Sequence, residues 1–395
     1  MPEAGVVRAA RGRTFALGAL VFLLMVPETL PVPVLRALVL ERYLVSDAQA
    51  SLFMVANMAG ALCAAPIAGW LGDHFGRRRV WVTVALLLDG LLMYGLAHAP
   101  DFASLLLLRA LEGASHITAL SLVIALAADA AAAHRGRTLG MVGAGLTLGV
   151  ATGATLGGMV GRRDPVATLL AASVLLGLAG VLAQWLLPRD PGVRGRPGFR
   201  TIVRAIAAHH RLRLPLFLSF VDRFVVGFYT TCFPLMLAGV HGVERWKIGA
   251  MLGLYLYPFA LLSYPCGKLA ERWSPAALAA VGSFAYGLST MAVGLASPGG
   301  LWLLMPVLGI ASAMLFVPSL LMTVQAAPDV GRSTAVAAFQ GAGSCGFLLG
   351  PLAGAALVAC ADSPARGYVL AFGVAGLAVL ASGVALLPAL RRASA

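Results

Sequence analysis

Apolar residues run along this chain in long blocks, separated only by short polar intervals. Blocks at 14–38, 47–72, 80–98, 102–128, 139–160 and 165–187 are followed by a polar stretch. Six more follow at 215–240, 246–270, 275–296, 301–326, 333–360 and 368–390. Each is close to or longer than the roughly 20 residues a helix needs to cross hydrocarbon. The pattern predicts an all-α, polytopic membrane protein with twelve transmembrane helices. Two basic intervals mark a repeat. The first is Gly69-Trp-Leu-Gly-Asp73-His-Phe-Gly76-Arg77-Arg78-Arg79, and a weaker copy, Gly267-Lys-Leu269-Ala-Glu271-Arg272-Trp, follows 198 residues later. That offset is half of a 395-residue chain, so the chain reads as two pseudo-symmetric six-helix bundles. The expected organisation is an N-terminal bundle over 1–187, a cytoplasmic basic linker over 188–214 and a C-terminal bundle over 215–395.

Composition changes this picture little and charge changes it more. Sixty per cent hydrophobic and 11% charged residues, with a mean hydropathy of +0.89, fall outside the range of soluble domains, which carry about 25% charged residues. A net charge of +13 suggests nucleic acid in a soluble protein. Here it follows the topology instead. Under the predicted map, with Lys247 and Lys268 counted in the loops they border, 20 Lys and Arg fall on the N-terminus, the loops after the even-numbered spans and the C-terminus, against six on the other side. Cytoplasmic loops carry such an excess, so both termini are expected in the cytoplasm of a multi-pass protein of the cell inner membrane. No cleavage-site pattern follows the first block, which reads as a span and not as a removed signal. The linker holds seven arginines, and Phe199, Ile202, Val203 and Ile206 share one face at helical spacing. It reads either as a short helix on the inner membrane surface or as a disordered tether. Five scattered cysteines, without a paired spacing, predict free thiols and no metal. No nucleotide fingerprint is present outside the apolar spans, so neither a cofactor nor ATP is expected.

The first basic interval carries chemistry of its own. A stretch with three arginines cannot lie in hydrocarbon, so it forms a short inner hairpin loop between the second and third spans. Its residues resemble the signature loop of the major facilitator superfamily, G-x-L-a-D-x-x-G-R-[RK]-x, at Gly69, Leu71, Asp73, Gly76, Arg77 and Arg78. The resemblance implies that fold, with a cavity between two halves, alternating access, and a cytoplasmic gate formed by these residues with Asp129 at the inner end of the fourth span. In the fifth span, Gly140, Gly149, Gly153, Gly157 and Gly158 resemble the antiporter motif of exporters in the superfamily, g-x8-G-x3-G-P-x2-G-G, with Ala154 where the motif has proline. Gly346, Gly350, Pro351 and Gly354 repeat the spacing in the eleventh span. Glycines four apart make a smooth face that a neighbouring helix can approach closely. Packing alone explains such a face; the resemblance adds an implication of efflux.

Charges within hydrocarbon cost roughly 2.5–3.5 kcal/mol each on insertion scales and mark function by default. Glu28 lies about 14 residues into the first span, so about 21 Å deep, beside Pro27, Pro31 and Pro33. By its position it is similar to the acidic residue that serves proton and cation recognition in some multidrug antiporters of this superfamily. Arg109 and Gly113 resemble the superfamily's R-x-x-x-G pattern of the fourth span, which implies proton transfer. Arg109 and Glu112 are three apart and Glu112 and His116 four apart, so all share one helix face. They read as a proton relay or as a self-neutralised structural group. Asp222 and Arg223 point about 100° apart and read as a gate, a substrate contact or a structural pair. Asp89, on a peripheral span, reads as structural. Phe228, Tyr229, Phe233, Tyr255, Tyr257, Phe259 and Tyr264 either line an aromatic cavity or pack and face lipid.

The expectation from these observations is a transporter and not an enzyme. It would be a monomer in the lipid bilayer that exports a small amphipathic molecule in exchange for protons and binds no nucleic acid. Glu28, Arg109, Glu112 and His116 are the candidates for proton coupling. Glu28, Asp222, Arg223, Tyr229, Phe233 and Tyr257 are the candidates for the substrate cavity. Uptake by symport, export of a specific metabolite, sugar or lipid, and a non-transporting sensor remain alternatives.

Overall fold

The computed structural model describes residues 2–75, 77–128, 132–187, 210–326 and 332–393, and every regular element among them is helical. The first half holds α1 (Pro2–Thr29), α2 (Asp47–Phe75), α3 (Arg78–Ala97), α4 (Phe102–Ala128), α5 (Ala132–Val160) and α6 (Val166–Leu186). The second half holds α7 (Arg213–Thr230), α8 (Cys232–Gly239), α9 (Arg245–Arg272), α10 (Pro275–Val293), α11 (Pro298–Gln325), α12 (Arg332–Ala359) and α13 (Pro364–Ala393). Among the described residues, eleven helical segments are long and apolar enough to cross a membrane. The 29-residue α2 occupies the remaining predicted span. The linker's amphipathic stretch, 199–206, lies outside the described residues, as do Gly76 and Asp129, while the linker's last residues form a 3-10 turn at His210–Leu212 and the start of α7.

Two predicted spans differ from single straight helices, for local reasons. The first ends as an α-helix at Thr29, one residue past Glu28. It then continues through a 3-10 turn at Val32–Val34 and a π turn at Arg36–Glu41. Pro27, Pro31 and Pro33 each lack the N–H that a regular helix would use, so the ladder gives way there. The seventh breaks at Thr231 into α7 and α8, with backbone angles of −123° and −68°. The Thr231 hydroxyl donates to the Gly227 carbonyl at 2.7 Å, and Pro234 interrupts the next turn. Both broken helices are the first of their half. Elsewhere the caps match the sequence. Ser274 and Ser297 accept from backbone N–H groups three residues on, and proline follows each at the first helical position.

The chain divides into two compact units. One comprises Met1–Tyr43 and Ala56–Arg196, the other Leu44–Val55 and Pro197–Ala395. In the first, α1 packs on α5 and α6, and α3 packs on α4 and α6. In the second, α7 packs on α12, α11 and α13, α10 packs on α11 and α13, and α9 packs on α11. The glycine stripes set two of these contacts. A Cβ at Gly149, Gly153 or Gly157 would stand 2.7, 2.1 or 2.0 Å from the carbonyl oxygens of Phe22 and Val26 on α1 and of Leu30 just past its end. In the second unit, a Cβ at Gly346 or Gly350 would stand 2.1 or 2.2 Å from those of Phe220 and Phe224 on α7. Pro351 borders Gly227 in the same contact, and Gly158 is buried on α5. Glycine and partner alike recur at offsets of 197 and 198 residues. On the outside, Val84, Leu87, Leu88 and Leu91 of α3 and Val174, Leu178 and Val181 of α6 are exposed. Apolar faces of that extent require hydrocarbon around them.

Candidate functional site

Four helices of the first unit converge on one buried group of charges. On α4 the helical period places Arg109, Glu112 and His116 on a single face. The Arg109 guanidinium is fully buried, with Nη1 2.6 Å from Glu112 Oε2 and Nη2 3.3 Å from Glu28 Oε1 on α1. Asn57 of α2 donates from Nδ2 to the same Glu112 oxygen at 2.8 Å. His116 Nδ1 lies 3.1 Å from Asp89 Oδ2 on α3 and 3.9 Å from Glu28 Oε2. Ser115, beside His116, donates to the Ala85 carbonyl at 2.8 Å and fixes α4 against α3 at this level. Close approach of α2 depends on two glycines. A Cβ at Gly113 would stand 2.1 Å from the Asn57 carbonyl oxygen, and one at Gly60 1.8 Å from that of Ala110. The glycine of R-x-x-x-G thus brings Asn57 within reach of Glu112.

The group is short of positive charge. Glu28, Asp89 and Glu112 are three carboxyls, and Arg109 is the one permanent cation among them. All four are at least nine-tenths buried, as is His116. Buried charge without compensation costs several kcal/mol. Glu28 Oε2, Glu112 Oε1, Asp89 Oδ1 and His116 Nε2 are also buried without a hydrogen-bond partner. Unfilled acceptors in a cluster of excess negative charge suit it to take up positive charge, as protons or as a cationic molecule. One donor atom each from Glu28, Glu112 and His116 lie within 4.8 Å of one another. Arg109 already sits on two of these three groups, so the set reads as an ion-pair network.

The structure therefore brings together the four predicted coupling residues, Glu28, Arg109, Glu112 and His116. It adds two that sequence reasoning did not assign to the site. From sequence Asp89 reads as structural, and nothing there singles out Asn57. The remaining candidates fall elsewhere. Arg77 is exposed at the start of α3 and Arg78 is fully buried in its first turn. Gly69 and Asp73 lie in the last turns of α2.

In the second unit, Asp222 is buried and accepts from Ser312 Oγ at 3.5 Å. Ser312 in turn accepts from the Tyr255 hydroxyl at 3.5 Å, and the Tyr255 and Tyr286 hydroxyls are 3.1 Å apart. Arg223 Nε is 3.8 Å from Asp222 Oδ2, and its guanidinium lies 4.5 Å from the centroid of the Phe316 ring. Tyr229 stacks on Tyr255 at 5.1 Å, contacts Phe233 at 6.0 Å and donates to Thr290 at 3.1 Å. Tyr229 and Phe233 are fully buried members of this stack, whereas Tyr257 is half-buried and Tyr264 is exposed. Tyr255, Tyr286 and Ser312 stand 198, 197 and 197 residues after Asn57, Asp89 and Ser115. The repeat offset was a signal that could have found them. The same interior positions hold an ionic group in one unit and a hydroxyl and aromatic group in the other.

A multi-pass helical chain with two repeated units and a buried ion cluster defines a membrane transporter. The sequence model of the Major Facilitator Superfamily matches residues 17–244 and 215–395, and the chain belongs to that family. It is 26% identical over 341 residues to the tetracycline resistance protein, class C, of Escherichia coli, covering 84% of this chain and 83% of that protein. It is 30% identical over 208 residues to the 3-(3-hydroxy-phenyl)propionate transporter of Escherichia coli (strain K12), covering 51% of each. The chain thus spans about half the length of that relative. Its fold is similar to the crystal structure of the nucleoside transporter NupG, with a TM-score of 0.77 at 12% identity, covering 95% of this chain and 98% of the other.

Proposed function

We propose that this transporter exports small amphipathic molecules, cationic ones included, in exchange for protons, with Glu28 at the centre of coupling. The observation that carries this reading is the charge count of the cluster. Three buried carboxyls share one arginine, and three of their oxygens lack partners. Such a group releases a proton when a cation arrives and regains it when the cation leaves. Glu28 is the member with the most solvent contact, at 9% exposure, so it is the one best placed to meet both. The glycine stripe of α5 and the likeness to a tetracycline resistance protein favour export over uptake. The Lys and Arg distribution favours cytoplasmic termini. We take the functional unit to be a monomer, with its bundles at 1–187 and 215–395 and Asp73, Arg77 and Asp129 at a cytoplasmic gate.

The test is extrusion of ethidium from cells overproducing the protein, with and without a protonophore. Wild type is expected to extrude ethidium only while the proton gradient stands. Glu28→Gln is expected to abolish extrusion at unchanged membrane abundance. Full extrusion by Glu28→Gln removes Glu28 from coupling, and extrusion indifferent to the protonophore removes protons.

A second reading has its own observation. Arg223 is partly exposed and lies 4.5 Å over the centroid of an aromatic ring, which suits an aromatic carboxylate. Transport of benzoate, without any of ethidium, would favour that reading.

A further inference from the structure

Asp89 enters the proposal above only as one of three carboxyls, yet it is fully buried and its carboxylate faces the ring of His116. A carboxylate only accepts hydrogen bonds, so Nδ1 of His116 must carry the hydrogen that fills the 3.1 Å contact. In the neutral ring, Nε2 is then the nitrogen with the free lone pair. Nε2 is buried and without a hydrogen-bond partner. A buried acceptor left unfilled costs about 1–3 kcal/mol, unless something fills it during function. A proton on Nε2 makes an imidazolium whose Nδ1 lies 3.1 Å from Asp89 Oδ2 and 3.9 Å from Glu28 Oε2, so both carboxylates support the charge from the Nδ1 side.

We infer that Asp89 is a positioning residue: it holds His116 as the Nδ1–H tautomer, so that Nε2 is the proton-accepting atom of the cluster. This rests on the proton-coupled reading and assigns the proton to a particular nitrogen. The charged groups against the ring are Asp89 from α3 and Glu28 from α1; Glu112, one turn before His116 on α4, is held by Arg109 of the same helix and by Asn57 of α2. Neither α6 nor the 141–160 stretch of α5 contains a charged residue. No proton balance is left open. Nε2 gains one proton, the ring gains one positive charge, and Asp89 stays ionised. With all three carboxylates ionised, the net charge of the group passes from −2 to −1. A second proton on Glu28, or a monovalent cation beside it, brings the group to neutrality.

The arrangement makes a specific demand on substitution. Asparagine at position 89 is nearly isosteric but can donate through its amide nitrogen. It can therefore hold the opposite tautomer, with hydrogen on Nε2 and the lone pair turned toward position 89. The accepting lone pair would then be on Nδ1 and already filled by the amide at position 89, Nε2 would carry the hydrogen, and the counter-charge that supports imidazolium would be gone.

The experiment is nitrogen-15 NMR of histidine-labelled protein in nanodiscs across pH 5–9, with the His116 signals assigned by their absence in His116→Gln. It is paired with the pH profile of ethidium extrusion. Wild type is expected to show Nδ1–H at high pH and to protonate at Nε2 as pH falls. Asp89→Asn is expected to show Nε2–H, to stay neutral at pH values where wild type is protonated, and to lose at least tenfold in coupled extrusion. Asp89→Glu should restore both. Nε2–H in wild type overturns the inference, and that measurement needs no variant to fold. So does an Asp89→Asn protein that keeps the Nδ1–H tautomer and the wild-type pH profile. Wild type that shows the expected tautomer and titration but ignores the protonophore would refute the export reading and leave Asp89 in its role.

Discussion

Gly113→Ala tests whether helix packing and the ion cluster are one structure. In the wild type, α2 and α4 are close enough that a Cβ at Gly113 would stand 2.1 Å from the Asn57 carbonyl oxygen. Relieving that to the 3.4 Å of ordinary contact moves α2 away by about 1.3 Å. A displacement of that size opens the 2.8 Å bond from Asn57 Nδ2 to Glu112 Oε2 to about 4 Å, which is no longer a hydrogen bond. Forcing a methyl into packed structure costs about 1–3 kcal/mol. Losing a hydrogen bond to a charged, buried carboxylate costs about 1.5–3 kcal/mol more. The sum, roughly 3–6 kcal/mol, corresponds to a melting point lower by roughly 6 °C or more for a unit of this size. The assay is thermal unfolding of the purified protein in detergent, alongside ethidium extrusion. Gly143→Ala on α5 is the control, because a Cβ there meets nothing within 4 Å. A Gly113→Ala protein that melts and transports like Gly143→Ala would refute the argument that this glycine sets the cluster.

Three further outcomes follow from the same geometry. Arg109→Ala leaves Glu28 and Glu112 buried without their counter-charge, at a cost of about 3–5 kcal/mol. It should drop the yield of folded protein in size-exclusion chromatography, and Glu112→Gln added to it should recover part of the loss. Gly350→Ala would place a Cβ 2.2 Å from the Phe224 carbonyl and should destabilise the second unit, whereas Gly373→Ala, with nothing within 4 Å, should not; thermal unfolding separates the two. Outside the membrane, the Ser104 N–H donates to Asp101 at 2.8 Å and holds its carboxyl below the usual carboxylate range. A lowered value in the folded state means its stabilising contribution is present at neutral pH and fades as pH falls through that value. Asp101→Asn should therefore lower the melting point slightly at neutral pH, leave it unchanged in acid and so flatten the acid limb of the melting curve.

What was legible in the sequence is what short-range chemistry writes there. The length and apolarity of each block set the spans, because hydrocarbon thickness fixes how many apolar residues a helix needs. The basic intervals set the loops, and the half-chain offset exposed the repeat. Helical period alone put Arg109, Glu112 and His116 on one face and gave the glycine stripes their continuity. The prolines beside Glu28 announced an irregular helix. They did not say that the α-helix would end at Thr29.

The tertiary structure decided which charges meet. Helices α1, α2, α3 and α4 are far apart in sequence where they approach the cluster, and no local pattern states which face of one turns to another. Asp89 illustrates the point: alone on its span it reads as a structural residue, and only the packing of α3 on α4 places it against His116. The same holds for the second unit. Asp222 and Arg223 were visible as charges, but their separate surroundings, a hydroxyl chain for one and a phenyl ring for the other, depend on α9, α10 and α11. Apolar length is a property of each helix by itself. The pairing of buried charges is a property of several helices at once, because a charge in hydrocarbon is stable only where another helix supplies its partner.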